Sequence, residues 1–568
     1  MEMKKLFNIT KIGMLALLTI VFTGCQNRNS NSGSSLTGWS SKDKSAAGFS
    51  TKSNYKRQET PPGMVLIEGG TFTMGQVQDD VLFDWNTTPV KQQVRSFYLD
   101  ETEVTNTEYL FYLEWMEKVF PPNEENYKDI YQSAVPDTLV WRDVLGFNEL
   151  LTENYLRHPA YADYPVVGVS WIQANQYCNW RSDRVNEKIL MDKGILKPLF
   201  ELDSIEVKGK NNFNTDTYLN NPYTLFDGDS TIYKKGLPSN AKRKKGATRP
   251  SREQFSGRHV KISDGIISPK FRLPTESEWE YAAKANIEDR EYNNIRGRKK
   301  YSWNSKYTRN KSKKNKGDQL ANFKQGKGDY SGVAGWSNDG AAITIAVKSY
   351  DPNAFGLYDM SGNVAEWVAD VYRPIIDNDA NDFNYFRGNI FTKKMIDSEG
   401  KVVIIDNNSV EYDTLDNGKL MTKTLPGQVK YIPISKRDAY MRNNYEKAYN
   451  VDAKDGDLAS TKHYEKEEEE LEIKPRMYNS PIKPGELGEN GLLMQQYDAE
   501  KRTTLVSDKT RVFKGGSWKD REYWLDPSQR RYLPEYMATN YIGFRCATDR
   551  LGSMTNKRRK PTNNKIRY

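Results

Sequence analysis

Three helix-starting motifs set the limits on what this chain can fold into. Each has a Ser or Thr followed three residues later by Glu or Gln, the pattern of a capping box, and apolar residues then recur at helical spacing. The motifs begin at Thr105, Ser170 and Thr275. Short alternating apolar segments typical of strands, such as residues 64–67 and 94–99, separate them. This interleaving predicts an α+β domain with helices packed on mixed sheets.

Glycines mark two turns in this domain. Gly69 and Gly70 separate two strand-like segments, 64–67 and 71–74, which predicts a hairpin. Gly515 and Gly516 predict a second tight turn, just before a segment that ends in a strand over residues 542–546. Alternation in that strand turns the side chain of its last residue, Cys546, toward the core.

Residues 1–24 are predicted to be an export signal. Lys4, Lys5 and Lys11 precede an apolar run that is too short to span a bilayer. The run ends in Phe-Thr-Gly-Cys, which resembles a bacterial lipobox with Cys25 as the lipidated residue. The alternative is an ordinary cleaved signal with a chance cysteine. Because Gln26 is not the Asp that resembles an inner-membrane retention signal, the expected location is the outer membrane, lipid-anchored and facing the periplasm.

Composition separates flexible from folded regions. Residues 25–58 are rich in Ser, Asn, Gly and Lys and are predicted to form a tether. The folded domain is expected over residues 59–550, and 551–568 form a basic tail. The formal charge of the 568-residue chain is only +9, so nucleic acid is not an expected partner of an exported protein of this kind.

Six motifs resemble the formylglycine-generating-enzyme (sulfatase-modifying factor) family and occur in that family's order. The resemblance covers 60–182, 270–374 and 510–550, and it implies a C-type-lectin-like α+β fold with little regular secondary structure. Two long segments, 183–269 and 375–509, are then insertions into this core, and each is expected to be partly ordered. The motifs are GMV with GGTFTMG from Gly63, DETEVTN from Asp100, PVVGVSW from Pro165, FRLPTESEWEY from Phe271, GLYDMSGNVAEW from Gly356, and the stretch from Val512 to Asp549.

The resemblance also implies where a catalytic copper ion would bind. Active members hold Cu(I) with two cysteines after the Gly-Gly-Ser turn and oxidise a substrate cysteine to formylglycine. The matching positions here are Asp520 and Leu525, and no cysteine lies between Ser517 and Cys546. Since Cu(I) needs soft thiolate ligands, neither copper nor oxidase activity is expected. The chain has only three histidines, which leaves little material for a zinc site or a Ser-His-Asp arrangement.

Two structural features follow from the resemblance. Cys178 and Cys546 match positions that are joined by a disulfide in at least some members; the alternative is two buried free thiols. Calcium is the second expectation, as a structural ion. One ligand set maps to Asn322, Phe323, Asp339 and Ala341, and a second to Asp359, Gly362, Val364 and Glu366. These sets supply the oxygen atoms that a hard cation prefers, although Gly362 and its neighbour also suit a simple tight turn.

The functional expectation combines the anchor with the degenerate site. The segments KDREYWL, from Lys519, and RRYL, from Arg530, resemble gliding-motility lipoproteins of Bacteroidota. This implies a non-enzymatic scaffold for gliding motility and type IX secretion that contacts other motility and secretion lipoproteins or outer-membrane proteins. One alternative is a carbohydrate- or peptidoglycan-binding lipoprotein that uses exposed Trp518, Tyr523 and Trp524. The other is an atypical formylglycine-generating oxidase.

Overall fold

The structure is a computed structural model that describes most of the domain predicted from the sequence. The predicted signal with Cys25, nearly all of the tether and the basic tail beyond Gly552 lie outside the described residues. Described are residues 58–75, 86–143, 147–197, 207–237, 258–285, 299–305, 307–325, 339, 341–372, 392–415, 418–435, 437–438, 482–487, 493–497 and 509–552.

All three predicted capped helices are confirmed. Each N-cap hydroxyl, on Thr105, Ser170 or Thr275, accepts a hydrogen bond from the N–H three residues on, and the Glu or Gln there reaches back to the cap. The described helices are α1 (Asn106–Val119), α2 (Lys128–Ala134), α3 (Glu149–Asn154), α4 (Trp171–Asp192), α5 (Thr215–Asn220) and α6 (Glu276–Lys284).

Two four-stranded sheets form the centre of the domain. The first is antiparallel, in the order β1 (Met64–Ile67), β4 (Phe97–Asp100), β16 (Ala547–Asp549) and β5 (Phe271–Arg272). The second has the order β14 (Arg531–Pro534), β13 (Thr510–Lys514), β6 (Ala365–Val371) and β15 (Ile542–Gly543), with β15 parallel to β6. Strands β6 and β13 are buried along their whole length, so the core closes over both of their faces.

Two predicted strand arrangements were wrong. The segments around Gly69 do not form a hairpin: β1 pairs with β4, while β2 (Gly70–Met74) pairs with β3 (Val90–Val94). Gly69 instead lets two connections approach closely, since a Cβ there would lie 2.5 Å from the main-chain N of Ser96. Of the strand expected over 542–546, only Ile542–Gly543 forms one, β15; residues 544–546 connect it to β16, which belongs to the other sheet.

The main core is aromatic and lies between helices α1 and α4 and the sheets. Tyr109 and Tyr177 stack at 5.6 Å, and Phe544 packs edge-on against Tyr177 at 5.3 Å. A second core cluster surrounds the fully buried indole of Trp279 from α6. The two clusters explain how a chain with only 37% hydrophobic residues supports this domain, because its large aromatic side chains are concentrated there.

Both segments predicted as insertions contain ordered structure. In the first, Phe213, Tyr218 and Tyr233 belong to a separate hydrophobic cluster. The second contains three pairs of short strands. They are β7 (Thr392–Lys394) paired with β10 (Tyr431–Pro433), β8 (Tyr412–Thr414) paired with β9 (Leu420–Thr422), and β11 (Ile482–Leu487) paired with β12 (Leu493–Tyr497).

The two segments predicted as insertions pack on the core and on each other. Gln176 of α4 donates a hydrogen bond to the carbonyl of Thr422 at 2.7 Å. The hydroxyl of Thr217, in the first segment, donates to the carbonyl of Gly427 in the second at 2.6 Å. No helix within the described ranges has the length and apolar character needed to cross a membrane.

Candidate functional site

The predicted glycine turn directly follows the buried strand β13. Gly515 and Gly516 have φ values of +101° and +69°, a region that residues with a Cβ rarely adopt. A Cβ on Gly516 would lie 2.7 Å from the carbonyl oxygen of Trp524. The turn therefore presses Ser517 and the residues after it against the short 3-10 helix Glu522–Leu525.

Asp520 stands at the first position where the resemblance would place a copper ligand. Its carboxylate is bound by an arginine. Its two carboxylate oxygens each accept a hydrogen bond from the guanidinium of Arg531 at 2.6 Å. The hydroxyl of Ser517 donates to the same carboxylate at 2.5 Å. Arg531 also lies 4.7 Å from the ring centres of Phe513 and Trp524. Asp520 is thus one half of a planar, bidentate ion pair.

Leu525, at the second expected copper position, is a core residue. Its side chain is fully buried and belongs to a cluster with Tyr301, Ala321 and Phe323. A carboxylate already paired with arginine and an aliphatic side chain do not fit Cu(I), which requires thiolate or thioether donors. The donor set at this turn therefore supplies no copper chemistry.

The two cysteines of the described domain meet elsewhere. Cys178 on α4 and Cys546 beside β16 are fully buried, and their sulfur atoms lie 3.2 Å apart as free thiols. Burial raises the pKa of the Cys546 thiol well above its usual value, and the neighbouring sulfur raises it further. The structure brings the pair together, and a bond of about 2.05 Å needs an approach of little more than 1 Å. The disulfide stays a prediction.

The first expected calcium set is assembled around Asp339. Its carboxylate accepts hydrogen bonds from the main-chain N–H groups of Phe323 and Ala341, both at 3.3 Å. The amide nitrogen of Asn322 donates to the carbonyl of Ile343 at 2.7 Å, which leaves the Asn322 side-chain oxygen directed away from that bond. Phe323, Asp339 and Ala341 therefore lie within one loop cluster, in which the contacts to the Asp339 carboxylate come from N–H groups.

The second expected set is centred on a carboxylate that already has partners. Both oxygens of Glu366 accept from Arg545, at 2.6 and 2.7 Å, and the indole N–H of Trp279 donates to one of them at 2.7 Å. Glu366 and Arg545 are fully buried. The set also includes Asp359 and Gly362, at φ values of +56° and +92°.

Glu103 completes this acidic centre, and the sequence reasoning missed it. Its carboxylate accepts from the side chain of Asn363 at 2.8 Å and from the N–H of Val364 at 3.2 Å. Burial raises the pKa of Glu103 well above its usual value, and the charges of Asp359 and Glu366 add to the effect. Burial likewise raises the pKa of Asp359 to about 6. The Arg545 guanidinium binds Glu366 and is close enough to Glu103 and Asp359 to interact with their charges. Within the described ranges, no group of three acidic, His or Cys side chains is arranged to hold a metal.

A second buried ionic cluster lies on α6. Glu278 completes the capping box of this helix, whereas Glu276 and Glu280 are buried. Glu276 accepts from Arg530 at 2.6 and 3.0 Å, and Glu280 accepts from Lys514 at 2.7 Å. Lys284, on the same helix, also pairs with Glu280, but Lys514 and Arg530 come from the C-terminal part of the chain, which the local sequence of the helix does not indicate.

The aromatic residues expected to be exposed for glycan binding differ from one another. Trp518 is only 6% exposed; it stacks on Trp141 at 6.0 Å, and its indole N–H donates to the carbonyl of Asn540. Tyr523 and Trp524 are half-buried and pack edge-to-face at 5.0 Å. Trp518 is thus part of a core cluster, and the expected exposed triplet does not exist.

Comparison with known proteins agrees with this architecture. The profile of the sulfatase-modifying factor enzyme 1-like domain matches residues 50–408, more than half of the chain. The chain belongs to this family, and its mixed helix and sheet content is that of an α+β domain.

The relatives include enzymes and one protein named as inactive. The chain is 25% identical over 330 residues to the formylglycine-generating enzyme of Bos taurus, covering 55% of this chain and 59% of the relative. It is 34% identical over 119 residues to that of Streptomyces coelicolor, covering 20% and 32%. It is also 34% identical over 104 residues to the inactive C-alpha-formylglycine-generating enzyme 2 of Mus musculus, covering 18% and 27%. The chain thus spans less than two thirds of each of these relatives.

Solved structures give a weaker likeness over a larger part of the chain. PvdO from Pseudomonas aeruginosa is 15% identical, with a TM-score of 0.34, and the match covers 86% of this chain and 94% of PvdO. Treponema denticola variable protein 1 is 16% identical, with a TM-score of 0.30 and coverage of 86% and 94%.

Proposed function

We propose that this protein is a non-enzymatic, lipid-anchored scaffold at the periplasmic face of the outer membrane. It is of the GldJ or GldK kind and acts in gliding motility and type IX protein secretion by contacting other lipoproteins and outer-membrane proteins of that machinery. Its domain has a C-type-lectin-like topology, into which 183–269 and 375–509 are inserted. Cys25 carries the lipid.

The ion pair at Asp520 carries the non-enzymatic half of this proposal. An oxidase of this family would need two sulfur ligands after the glycine turn. Here one position is bound to Arg531 and the other, Leu525, is packed in the core. The glycine turn is present, but the two residues that would have to bind copper are Asp and Leu. This favours a domain that binds other proteins rather than one that catalyses a reaction.

The oxidase alternative is tested by direct assay. The purified chain is incubated with Cu(I), oxygen and a cysteine-containing sulfatase peptide, and aldehyde formation is followed by mass spectrometry. The formylglycine-generating enzyme of Streptomyces coelicolor serves as the positive control. We expect no aldehyde from this chain; conversion above the copper-only background would overturn the non-enzymatic assignment.

The scaffold half is tested in intact cells by crosslinking and mass spectrometry. We expect crosslinks from the described surface to other motility or secretion proteins, and a membrane-bound protein that Cys25→Ser releases into the soluble fraction. The Cys25→Ser variant keeps the whole folded domain, so it separates anchoring from folding. A chain that crosslinks to no envelope protein, or that stays membrane-bound without Cys25, would refute the scaffold or the anchor respectively.

Calcium binding to the cluster around Asp339 is part of the same proposal. We expect a chelator to lower the melting temperature by several degrees, because an ion that binds only the folded state stabilises it by mass action. Asp339→Asn should remove this calcium dependence, whereas Asp413→Asn, at an exposed position on β8, should not. Equal melting temperatures with calcium and with chelator would count against the site.

A further inference from the structure

A positively charged loop lies on the surface of the domain, and we call its residues 307–318 the basic loop. The chain is joined to itself at the base of this loop. The main-chain N–H of Leu320 donates a hydrogen bond to the carbonyl of Thr308 at 2.8 Å. The N–H of Asn310 donates to the carbonyl of Asp318, also at 2.8 Å. The loop is therefore held on a short antiparallel stem, and its tip, residues 311–316, is exposed.

Short-range hydrogen bonds also fix the shape of the tip. The N–H of Ser312 donates to the side-chain oxygen of Asn310 at 2.8 Å, and the N–H of Asn315 donates to the hydroxyl of Ser312 at 3.3 Å. The guanidinium of Arg309 donates to the carbonyl of Gly317 at 3.1 Å. Main-chain groups and neutral side chains make most of these bonds, so the lysine ammonium groups of the loop are not used to hold it together.

The basic loop carries a concentrated positive charge. Its five basic residues and one acidic residue, Asp318, give it a formal charge of +4. All five basic side chains are exposed, and within the described part of the chain none of them pairs with a carboxylate. Like charges this close repel one another, so an external anion would stabilise the loop. The basic residues are Arg309, Lys311, Lys313, Lys314 and Lys316.

The chemistry of these residues favours an extended anionic surface over one tightly held anion. Four of the five are lysines, which present point charges on flexible stems, whereas arginine has the planar fork that binds a single phosphate with two hydrogen bonds. A cavity of about 280 Å³ under the loop is lined by Arg309 and Lys311, but also by Asp351. The carboxylate of Asp351 would repel an anion bound in that cavity. The accessible positive charge is therefore on the outer side of the loop.

An exposed tyrosine stands at the start of the loop. The side chain of Tyr307 is 62% exposed, and the ammonium group of Lys311 lies 4.7 Å from the centre of its ring. Tyrosine is enriched at the headgroup level of membranes, where its ring and its hydroxyl group are both in a favourable environment. Lysines next to an exposed tyrosine are thus a combination that suits the surface of a lipid bilayer.

We propose that the basic loop binds the surface of an anionic lipid bilayer through the phosphate groups of the lipids. Each basic residue that comes close to such a surface strengthens binding by about fivefold. This inference rests on the proposed membrane location of the protein, although the contact itself does not require a lipid on Cys25. A lipid anchor and a basic surface together hold a protein at a membrane more stably than either does alone. The loop would thereby orient the domain on the membrane.

The test is cosedimentation of the mature chain, residues 26–568 made without lipid, with vesicles. One set of vesicles contains phosphatidylcholine alone, and the other contains about one third phosphatidylglycerol. We expect binding only to the anionic vesicles, and weaker binding as the salt concentration rises. Equal binding to both sets, or binding to neither, would overturn the proposal. Binding to soluble polyglutamate but not to anionic vesicles would assign the loop to an acidic protein and would also overturn it.

Substitutions in the loop connect the binding to these residues. Replacing all four lysines of the loop by Gln should weaken binding to anionic vesicles at least tenfold, at an unchanged melting temperature because the side chains are exposed. The control makes the same change of charge at four exposed lysines outside the loop and should bind nearly as the wild type does. The loop variant is Lys311→Gln, Lys313→Gln, Lys314→Gln and Lys316→Gln, and the control is Lys91→Gln, Lys118→Gln, Lys128→Gln and Lys193→Gln.

The two variants separate the loop from the rest of the chain. Residues 551–568, which are also basic, are present in both, so their contribution to binding is the same. Equal losses of affinity in the two variants would show that net charge alone decides, and would overturn the proposal. Because the chain carries no lipid in this experiment, a failure of the loop is distinguishable from a failure of the anchor, which Cys25→Ser tests in cells.

Discussion

At the scale of single residues, arginines at the C-terminal end determine the chemistry of the central sites. Arg531 neutralises Asp520, and Arg545 holds Glu366 while donating to the carbonyl of Tyr358 at 2.9 Å. Burial lowers the pKa of Arg545, but the charge of Glu366 and its hydrogen bonds outweigh this and raise the pKa overall. Arg545 thus stays charged in the core and fixes the position of the loop around it.

Arg545→Met should destabilise the domain strongly. Removing one partner of a fully buried pair leaves Glu366 as an uncompensated charge, which typically costs about 3–5 kcal/mol. Urea denaturation measures the free energy of unfolding. The control is Arg142→Met, whose pair with Glu149 is largely solvent-exposed and should matter little. Equal effects of the two substitutions would contradict the buried role of Arg545.

Gly516→Ala tests the glycine turn. The substitution combines backbone strain at φ +69° with a contact of 2.7 Å to a main-chain oxygen. Gly194 has φ +65° and open space around its Cβ position, so Gly194→Ala isolates the strain alone, about 1 kcal/mol. We expect Gly516→Ala to lower the free energy of unfolding clearly more than Gly194→Ala does. Similar losses would show that the turn can relax.

Residue chemistry was only partly predictable from the sequence. Asp520 and Leu525 could be recognised because their positions are counted from a local turn. Glu103 and Arg545 lie inside motifs that were identified, yet nothing local indicates that residues 442 positions apart in the chain share one buried cluster. The partners of a charged side chain are set by tertiary packing, which spacing along the chain does not encode.

At the scale of elements, helix α6 shows how local and distant signals differ. Its capping box predicted where it begins, and its buried face then meets Lys514 of β13. Burial alone raises the pKa of Glu280, but the ammonium groups of Lys284 and Lys514 outweigh it and lower the pKa to about 2. The helix is therefore joined to the second sheet by an ionic cluster that depends on Glu280 being charged.

This cluster makes the domain sensitive to acid. Because the pKa of Glu280 is lower in the folded than in the unfolded state, its contribution is complete above about pH 4.5 and is lost as the pH falls toward 2. The wild-type chain should lose up to about 3 kcal/mol over this range through this group, since one pKa unit corresponds to about 1.4 kcal/mol. In Glu280→Gln, the free energy of unfolding should fall less between pH 5 and pH 2, because this group no longer titrates.

Denaturation at several pH values provides the measurement. Glu399→Gln is the control, because Glu399 and its partner Lys401 are mostly exposed. Parallel stability curves for the wild type and Glu280→Gln between pH 5 and pH 2 would contradict the assignment.

Strand pairing was the least predictable property of the elements. Strands β1 and β2 were located correctly, since their alternation is local, but their partners were wrong. The sequence around Gly69 has the pattern of a hairpin turn, but the glycine is needed there because the chain near Ser96 packs closely against it. That contact is not visible in the local sequence. Helix boundaries were predicted better because a capping box is contained within four residues.

At the scale of the whole molecule, two cysteines from distant parts of the chain lie side by side. Cys178 on α4 and Cys546 beside the last strand are separated by 368 positions, and their sulfur atoms lie 3.2 Å apart. A bond between them would join helix α4 to the connection between β15 and β16, and these two strands belong to the two central sheets.

If the protein is exported as proposed, we expect this bond to form and to stabilise the domain. In the chain-entropy account, closing so long a loop contributes up to about 6 kcal/mol, so a reductant should lower the melting temperature. Cys178→Ser should melt at the same temperature with and without reductant. Peptide mapping that recovers both cysteines alkylated without prior reduction would refute the bond.

The position of β16 between β4 and β5 also governs how the chain can fold as it is made. The two neighbours of this strand come long before it in the chain, and both segments predicted as insertions also precede it. Neither four-stranded sheet is complete until the last sixty or so residues of the chain are available. A chain that becomes available from its N-terminus onward, at the ribosome or across a membrane, must therefore keep the edges of β4 and β5 uncovered until β16 follows, which makes folding slow and favours assistance by a holding chaperone.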